Sequence, residues 1–363
     1  MSLRIPGPTP CPDRVLQTLS KQMVNHRGKE FGELIQRITG QLKQIFKTEG
    51  DVLILTSSGT GGMEASIVNT ISPGDKVLCV STGAFGERFG TIAETFGAEV
   101  TRLRFEWGQP ADPDEVRRIL ATHPGIKAVL VTHNETSTGV TNDLAAISAV
   151  VREYDKLLLV DAISSLGCID LPVDRWGCDV VISGSQKGWM VPPGLAFVSV
   201  SERGWQAHAD SKLPRFYWDF SRTKSYLEKD QTPWTPAVSI FFALGISLEM
   251  LLEEGMAKVY ARHAQVARRA REGVKSLGLT LFAAEGHASN TVTAINSPDG
   301  CDARRLLGVL REQHDMVLGG GQERLQGKIF RIGHLGCVSE ADIDEVIQAL
   351  RLALPKVGFT PAT

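Results

Sequence analysis

Lys187 follows a short apolar run, Val180-Val181-Ile182, that breaks at Ser183-Gly184-Ser185. A run of that length bounded by small residues reads as a buried strand, with the lysine at its carboxyl end. Asp161 stands 26 residues earlier, closing a second apolar run, Leu157-Leu158-Leu159-Val160. In open α/β sheets, groups at the carboxyl ends of strands face the ligand crevice. A lysine amine can anchor an aldehyde covalently, and a buried carboxylate can keep a heterocyclic nitrogen protonated. Those are the two demands of pyridoxal 5'-phosphate on its protein.

Other segments could serve the same chemistry. Thr56-Ser57-Ser58-Gly59-Thr60-Gly61-Gly62-Met63-Glu64-Ala65 follows the apolar run Val52–Leu55 and opens a helix. Glycines admit close backbone approach, and a helix amino terminus presents free N–H groups to an anion. The segment is therefore a candidate phosphate cradle, or simply a tight strand–helix turn. It lacks the P-loop lysine and the G-x-G-x-x-G spacing of dinucleotide sites. Phe85 comes just after the run Val77–Val80, where an aromatic can stack on a planar ring or fill the core. His133-Asn134-Glu135-Thr136-Ser137-Thr138-Gly139 is a polar loop after Ala128–Thr132, a place for ligand contacts. Arg331 is a lone arginine inside Ile329-Phe330-Arg331-Ile332-Gly333. Burying a guanidinium demands an anion, either a substrate carboxylate or a structural partner. Gly184-Ser185-Gln186-Lys187-Gly188 is not G-x-S-x-G, so a hydrolase nucleophile elbow is unsupported.

These residues need a frame. Apolar runs at 52–55, 77–80, 128–132, 157–160, 179–182 and 195–200, with a weaker one at 99–105, alternate with helical patterns such as 113–122 and 143–153. That alternation predicts an α/β fold, a mostly parallel seven-stranded sheet with helices on both faces. The 205–236 stretch, rich in Trp, Tyr, Pro, Lys and Arg, reads as a long functional loop region. Beyond about 255 a charged helix (256–276) begins a smaller α/β domain, with strands at 279–283, 291–296 and 328–332 and helices at 302–313 and 340–353. Arg262, Arg268, Arg269 and Arg271 read as a solvated face of that first helix. Gly319-Gly320-Gly321 suggests a flexible segment. The division expected is an amino-terminal segment (1–20) reaching the active site, a large domain (21–254) and a small one (255–363).

Composition narrows the function classes. The 363 residues carry a net charge of −2, with 42% hydrophobic and 22% charged residues. That balance gives no electrostatic footprint for nucleic acid or an anionic membrane. No stretch of 18 apolar residues could span a bilayer, and the amino terminus lacks the apolar core of a secretory signal. Six scattered cysteines form no C-x-x-C pair; they fit reduced thiols and a cytoplasmic location.

Taken together, Pro6-Gly7-Pro8-Thr9-Pro10, Asn25-His26-Arg27, Ser58-Gly59-Thr60-Gly61, His133–Gly139, Val160-Asp161-Ala162-Ile163-Ser164-Ser165, Gly184-Ser185-Gln186-Lys187 and Arg331-Ile332-Gly333 resemble the class V aminotransferases of fold type I. The likeness runs in order over nearly the whole chain and is nearest to the alanine–glyoxylate, serine–pyruvate and serine–glyoxylate group. It implies a covalent cofactor lysine at Lys187 and a pyridinium partner at Asp161. Phe85 falls at the ring-stacking position and Thr136 beside the ring. Thr60, Gly61, Gly62 and Gln186 fall among the phosphate contacts. Arg331 matches the arginine for the substrate carboxylate, and Gly7 the amino-terminal pocket lining. It also implies a homodimer in which a partner threonine, Thr235 rather than Thr232, reaches the phosphate. The reaction implied is ping-pong transfer of an amino group between a small amino acid and a small 2-oxo acid. A 2-aminoethylphosphonate-type aminotransferase and a cysteine desulfurase are the rivals within the family, with Cys337 read as small-domain packing. A nicotinamide-dependent dehydrogenase is the rival outside it.

Overall fold

The computed structural model describes residues 1–362. The strands in chain order are β1 (Ser2–Arg4), β2 (Asp51–Ser57), β3 (Lys76–Ser81), β4 (Glu99–Arg104), β5 (Ile126–Thr132), the short pair β6 (Asn134–Glu135) and β7 (Val140–Thr141), β8 (Leu157–Asp161), β9 (Val180–Gly184), β10 (Gly194–Val200), β11 (Val292–Asn296), β12 (Met316–Gly320) and β13 (Ile329–Gly333). Seven of them form one sheet in the order β2-β10-β9-β8-β5-β3-β4. Only β10 runs against its neighbours, and it pairs antiparallel with both β2 and β9. The remaining pairings are parallel. Six strands therefore deliver their carboxyl ends to the same edge, where Ser57, Ser81, Arg104, Thr132, Asp161 and Gly184 stand.

The period of two in these strands builds two cores. Val52, Ile54, Leu158, Val160 and Val181 pack on one face with the helices Lys29–Phe46 and Val238–Glu254. Leu53, Leu55, Leu157, Leu159, Val180 and Ile182 pack on the other, against the helices Gly59–Thr70 and Ala84–Thr95. Because both faces are covered, the strands read as continuous apolar runs rather than as alternating ones. Burying one such side chain contributes about 1.5–3 kcal/mol. A one-residue slip would exchange the two faces of a whole strand, so register, and with it the place of each strand-end residue, is firmly set.

The smaller sheet has the order β1-β12-β13-β11. Its edge strand β1 comes from the amino terminus and pairs parallel with β12, Ser2 beside Met316 and Arg4 beside Leu318. The opening residues thus belong to the same sheet as the carboxyl-terminal ones. The 279–283 run makes a single bridge, Leu281 to Ile295, and no strand. Gly319 and Gly320, expected to be flexible, close β12 and pair with Arg331 and Phe330. The absence of a side chain is used there, since a Cβ on Gly319 would lie 2.8 Å from Pro6 Cδ.

Two further expectations change. The 205–236 stretch is not all loop, because Glu202–Asp210 and Phe220–Leu227 are helices. The arginine row of Met256–Ser276 is only partly a solvated face. Arg262 pairs with Glu254 at 2.7 Å and donates to the Gly336 carbonyl at 3.0 Å, and Arg271 donates to the Ser289 carbonyl at 2.9 Å.

Gly62 shows how tightly the Gly59–Thr70 helix lies on the sheet. A Cβ there would sit 2.7 Å from Ile182 Cγ2 and 3.2 Å from Ala196 Cβ. Gly62→Val should lift this helix from the sheet and destabilise the protein by about 1–3 kcal/mol. Chemical denaturation of purified wild type and variant measures the difference, and equal stabilities would mean that the contact is not as close as described.

Candidate active site

The turn that carries Lys187 is pinned to the core on both sides. Ser185 donates its hydroxyl to the Pro192 carbonyl at 2.7 Å and accepts from the Leu195 N–H at 3.2 Å. Trp189, fully buried, donates its indole N–H to Ser183 Oγ at 2.8 Å. Its ring stacks on Phe46 at 5.9 Å and meets Phe197 edge-on at 5.1 Å. A lysine between two such anchors has little freedom of backbone.

Lys187 keeps part of its surface open to a pocket, while its amine is largely withdrawn from water. Nζ donates to the Pro6 carbonyl at 2.5 Å. Burial, with the Arg331 charge adding to it, brings the amine down to about 8 from its usual value near 10.5. Gly7 lies over the same side chain. Its φ is +128°, and a Cβ would fall 2.5 Å from Lys187 Nζ. The amino-terminal segment is also tied to the lysine turn by Thr9, whose N–H donates to the Gln186 carbonyl and whose hydroxyl donates to the Lys187 carbonyl, both at 3.1 Å.

Asp161, at the end of β8, is 3% exposed. Among the described residues its carboxylate accepts one hydrogen bond, from the Ile163 N–H at 3.0 Å. Burial pushes it up to about 7, against the pull of that N–H. A nearly dry carboxylate with so little support is a place for a cationic N–H.

Phe85 lies in the first turn of the helix Ala84–Thr95 and lines the pocket. A residue that sequence reasoning passed over holds it there. The Glu135 carboxylate is fully buried and accepts from the N–H groups of Phe85 (3.1 Å), Gly86 (3.0 Å) and Ser137 (3.1 Å), and from the Ser137 hydroxyl (2.5 Å). The carboxylate also meets the positive end of the helix dipole. Burial nevertheless keeps it above its ordinary value. A glutamate in the otherwise uncharged, loop-like 133–139 segment was the signal available.

The candidate phosphate cradle opens where β2 ends. Ser58 caps the helix, its hydroxyl accepting weakly from the Gly61 N–H at 3.4 Å. The Gly62 N–H is already used, donating to the Ser58 carbonyl at 3.1 Å. The Gly59 and Thr60 N–H groups, in the first turn, have no intrahelical acceptor. Gln186 faces the same pocket, and its buried Oε1 has no hydrogen-bond partner. Since the two ends of an amide exchange by rotation, this is an unfilled polar position, open to an anion if the NH₂ is turned inward.

Arg331, on β13, is 6% exposed and has no carboxylate partner among the described residues. Its guanidinium donates to carbonyl oxygens: Gly320 at 2.9 Å, Thr136 at 2.9 Å and Gln322 Oε1 at 3.3 Å. Burial brings it down to about 10. The structural ion pair that could have explained a buried arginine is therefore not made. Thr136 joins this arginine to the rest of the site. Its carbonyl takes the guanidinium, and its hydroxyl donates to Ser164 Oγ at 2.8 Å.

One pocket of about 490 Å³, counted out to its open mouth, is bordered by Thr60, Phe85, Thr136, Asp161, Gln186 and Lys187, among others. The structure thus brings together six residues that the sequence singled out, with Gly7 and Arg331 adjoining. Gly62 is turned toward the sheet and does not line it. Thr235 lies at the surface, while Thr232 is buried with its hydroxyl donating to the Trp234 carbonyl at 2.7 Å. His133 sits behind the pocket, bonded to Ser165 Oγ at 2.9 Å. Cys337, expected to pack within the small domain, is exposed. Among the described residues no three His, Cys, Asp or Glu side chains gather as a metal-binding group. Ser58 and Asn134 line the pocket from the candidate cradle and the polar loop, whereas Arg88 and Ser164 line it without having been given a role from the sequence.

The pocket fits pyridoxal phosphate on its own features: a largely dry amine, an under-supported buried carboxylate, an aromatic wall, and a helix start with free N–H groups beside an orphaned amide. Gly7→Ala tests the fit. The added methyl would displace the amine, and misplacement of about 1 Å can cost about 10²-fold in rate. Capture of pyridoxal phosphate by the stripped protein, followed by its visible absorbance, should slow accordingly. An unchanged rate would mean that Gly7 does not set the place of the lysine.

Residues 3–334 match the family described as Aminotransferase class-V. The chain is 44% identical over 364 residues to a Synechococcus sp. (strain PCC 6716) protein named as the small subunit of a soluble hydrogenase, covering 99% of this chain and 94% of that one. It is 38% identical over 361 residues to the L-aspartate–glyoxylate aminotransferase of Paracoccus denitrificans (strain Pd 1222), covering 98% and 91% of the two chains. The solved structure of alanine–glyoxylate aminotransferase from Nostoc sp. superposes with a TM-score of 0.94 at 31% identity, covering 97% of this chain and 94% of that one. With the lysine, carboxylate and cradle in place, the chain belongs to the class V aminotransferases, as a fold type I, pyridoxal phosphate-dependent enzyme of the alanine/serine–glyoxylate group.

Proposed function

We propose that this enzyme moves the amino group of a small amino acid, alanine or serine, to a small 2-oxo acid, glyoxylate or pyruvate, in two half-reactions at one site. The observation that carries the reading is Arg331. A buried guanidinium without a carboxylate partner, adjoining the lysine pocket, is built for the carboxylate that every such substrate has.

Bound pyridoxal phosphate supplies the electron sink that makes a Cα–H bond acidic. The rest is the work of the chain. Arg331 fixes the substrate by its carboxylate. Lys187, lowered toward neutrality, takes the Cα proton and returns it to the opposite end of the reacting system. Asp161 would hold a proton on the ring nitrogen of the cofactor, whose charge would relieve the cost of burying the carboxylate. Phe85 would cover one face of the ring, with Glu135 keeping its turn in place. Thr60, Gly61 and Gln186 would receive the phosphate. Gly7 leaves room for the amine to swing, and the amino-terminal segment shields it from water.

The homodimer belongs to the same proposal. Thr232 has its hydroxyl engaged within the chain, whereas Thr235 is exposed. That contrast supports Thr235 as the residue offered to a partner's phosphate. The exposed ring of Phe216 and the stacked pair Tyr217–Trp234, at 5.6 Å, lie in the same stretch. The relative named for aspartate makes aspartate a third donor worth testing.

Three outcomes are expected. Alanine or serine, added without an oxo acid, should convert the visible absorbance of the holoenzyme to the shorter-wavelength amino form. Conversion by neither would sink the donor assignment. Lys187→Ala should lower turnover at least about 10²–10⁴-fold, the usual worth of a positioned acid–base group, and Arg331→Gln should raise the KM for the amino donor about ten- to a hundredfold. Lys187 must be neutral to attack an aldehyde. Capture of pyridoxal phosphate by the stripped enzyme should therefore rise with pH and level off above about 8, rather than continue toward the ordinary lysine range near 10.5.

A further inference from the structure

Arg88 is a cation at the pocket to which the proposed reaction gives no task. It lies on the Ala84–Thr95 helix, three residues after Phe85, and borders the same pocket as Thr60, Asp161, Gln186 and Lys187. Its guanidinium carbon stands 4.7 Å from the centroid of the Phe85 ring. Nη1 reaches Thr60 Oγ1 at 3.5 Å, the longest contact that still counts as a hydrogen bond and the only one this guanidinium makes among the described residues. The neighbouring carboxylate, Glu87, does not take it, because Glu87 is engaged by Arg102 and Arg104. Five donors in a rigid fork are thus held beside the cradle with one weak acceptor between them.

The cradle itself is short of positive charge. Ser58, Thr60 and Gln186 are neutral, and a helix start offers the equivalent of about half a charge. A phosphate monoester near neutral pH carries close to two negative charges. The other two cations are engaged elsewhere: Lys187 donates to the Pro6 carbonyl and serves the aldehyde chemistry, and Arg331 donates to the Thr136 and Gly320 carbonyls. A guanidinium already stacked on an aromatic is pre-oriented, and its planar fork matches two phosphate oxygens. Arg88 also acts at a distance on the reacting pair, its charge lowering both Asp161 and Lys187.

We propose that Arg88 is the cationic arm of the phosphate cradle and the residue by which the site prefers pyridoxal phosphate to pyridoxal, the same ring without its phosphate. The inference rests on the cofactor assignment, and the test separates the two. Stripped wild type, Arg88→Gln and Arg88→Lys are each titrated with pyridoxal phosphate and, separately, with pyridoxal, and binding is read from visible absorbance. Arg88 is exposed, so both variants should unfold at the wild-type temperature when stripped.

Arg88→Gln should weaken pyridoxal phosphate binding about ten- to a hundredfold, the scale of a lost charged hydrogen bond, and leave pyridoxal within about twofold of wild type, since its ring contacts are untouched. Arg88→Lys, which keeps the charge and loses the fork, should fall between. Equal weakening toward both aldehydes would overturn the proposal, because Arg88 would then act through the Phe85 ring. An unchanged affinity for pyridoxal phosphate, with only the KM of a dicarboxylic donor raised, would overturn it too and assign Arg88 to the substrate. Wild type that binds neither aldehyde would overturn the cofactor assignment itself, and this inference with it.

Discussion

The cost of holding charge away from water shapes this site. Lys187, Asp161, Glu135 and Arg331 lie close together with little solvent, and burial moves each of them toward its neutral form. Hydrogen bonds meet that cost unevenly. Glu135 has four donors and is a fixed part of the frame. Asp161 has one and Arg331 has only neutral acceptors, so both gain from an incoming ligand. On the function proposed above, these incompletely satisfied groups are the ones that a cofactor and a substrate would complete.

A rigid scaffold is what makes such incompleteness tolerable. Buried charges with loose backbones would turn toward water and pair with whatever lay nearest. Here the lysine turn is held by Trp189 and Ser185, the Phe85 turn by Glu135, and the Asp161 strand by neighbours on both edges. The reversed strand β10 contributes to this. By pairing antiparallel with both β2 and β9 it brings the cradle at the end of β2 to the edge that carries Lys187.

Much of this was legible in the residues. Six strands of the large sheet were visible because strands covered on both faces are uniformly apolar, and Val180–Gly184 and Leu157–Asp161 are buried at every position; the edge strand Glu99–Arg104, with no fully buried residue, left only a weaker signal. Lys187, Asp161 and Arg331 stood out as charges against apolar runs. What escaped was of another kind. Glu135 works through three backbone N–H groups, and backbone partners leave no mark on composition. The Met316–Gly320 strand was hidden because its glycines serve close approach to Pro6 rather than flexibility. The 279–283 run has strand-like composition and lies beside the Val292–Asn296 strand, but the pairing is limited to one bridge, Leu281 to Ile295, flanked by two backbone hydrogen bonds. Gly62 looked like an anion contact from its place in the turn, and only the sheet behind it shows what it does.

The amino terminus has a consequence for how the molecule comes into being. Ser2–Arg4 finds its place only beside Met316–Leu318, more than three hundred residues later in the chain. A chain made from its amino end therefore emerges with its first strand unpaired for most of its synthesis. The large sheet can assemble meanwhile, because its strands lie between 51 and 200. Long-range pairing of this sort is slow to form, since the closure entropy of the intervening chain comes due before any contact rewards it. Pro6 and Gly7, which stand over the lysine, are carried in by that same strand. Until it docks, Lys187 lacks both the Pro6 carbonyl that takes its amine and the cover of Gly7.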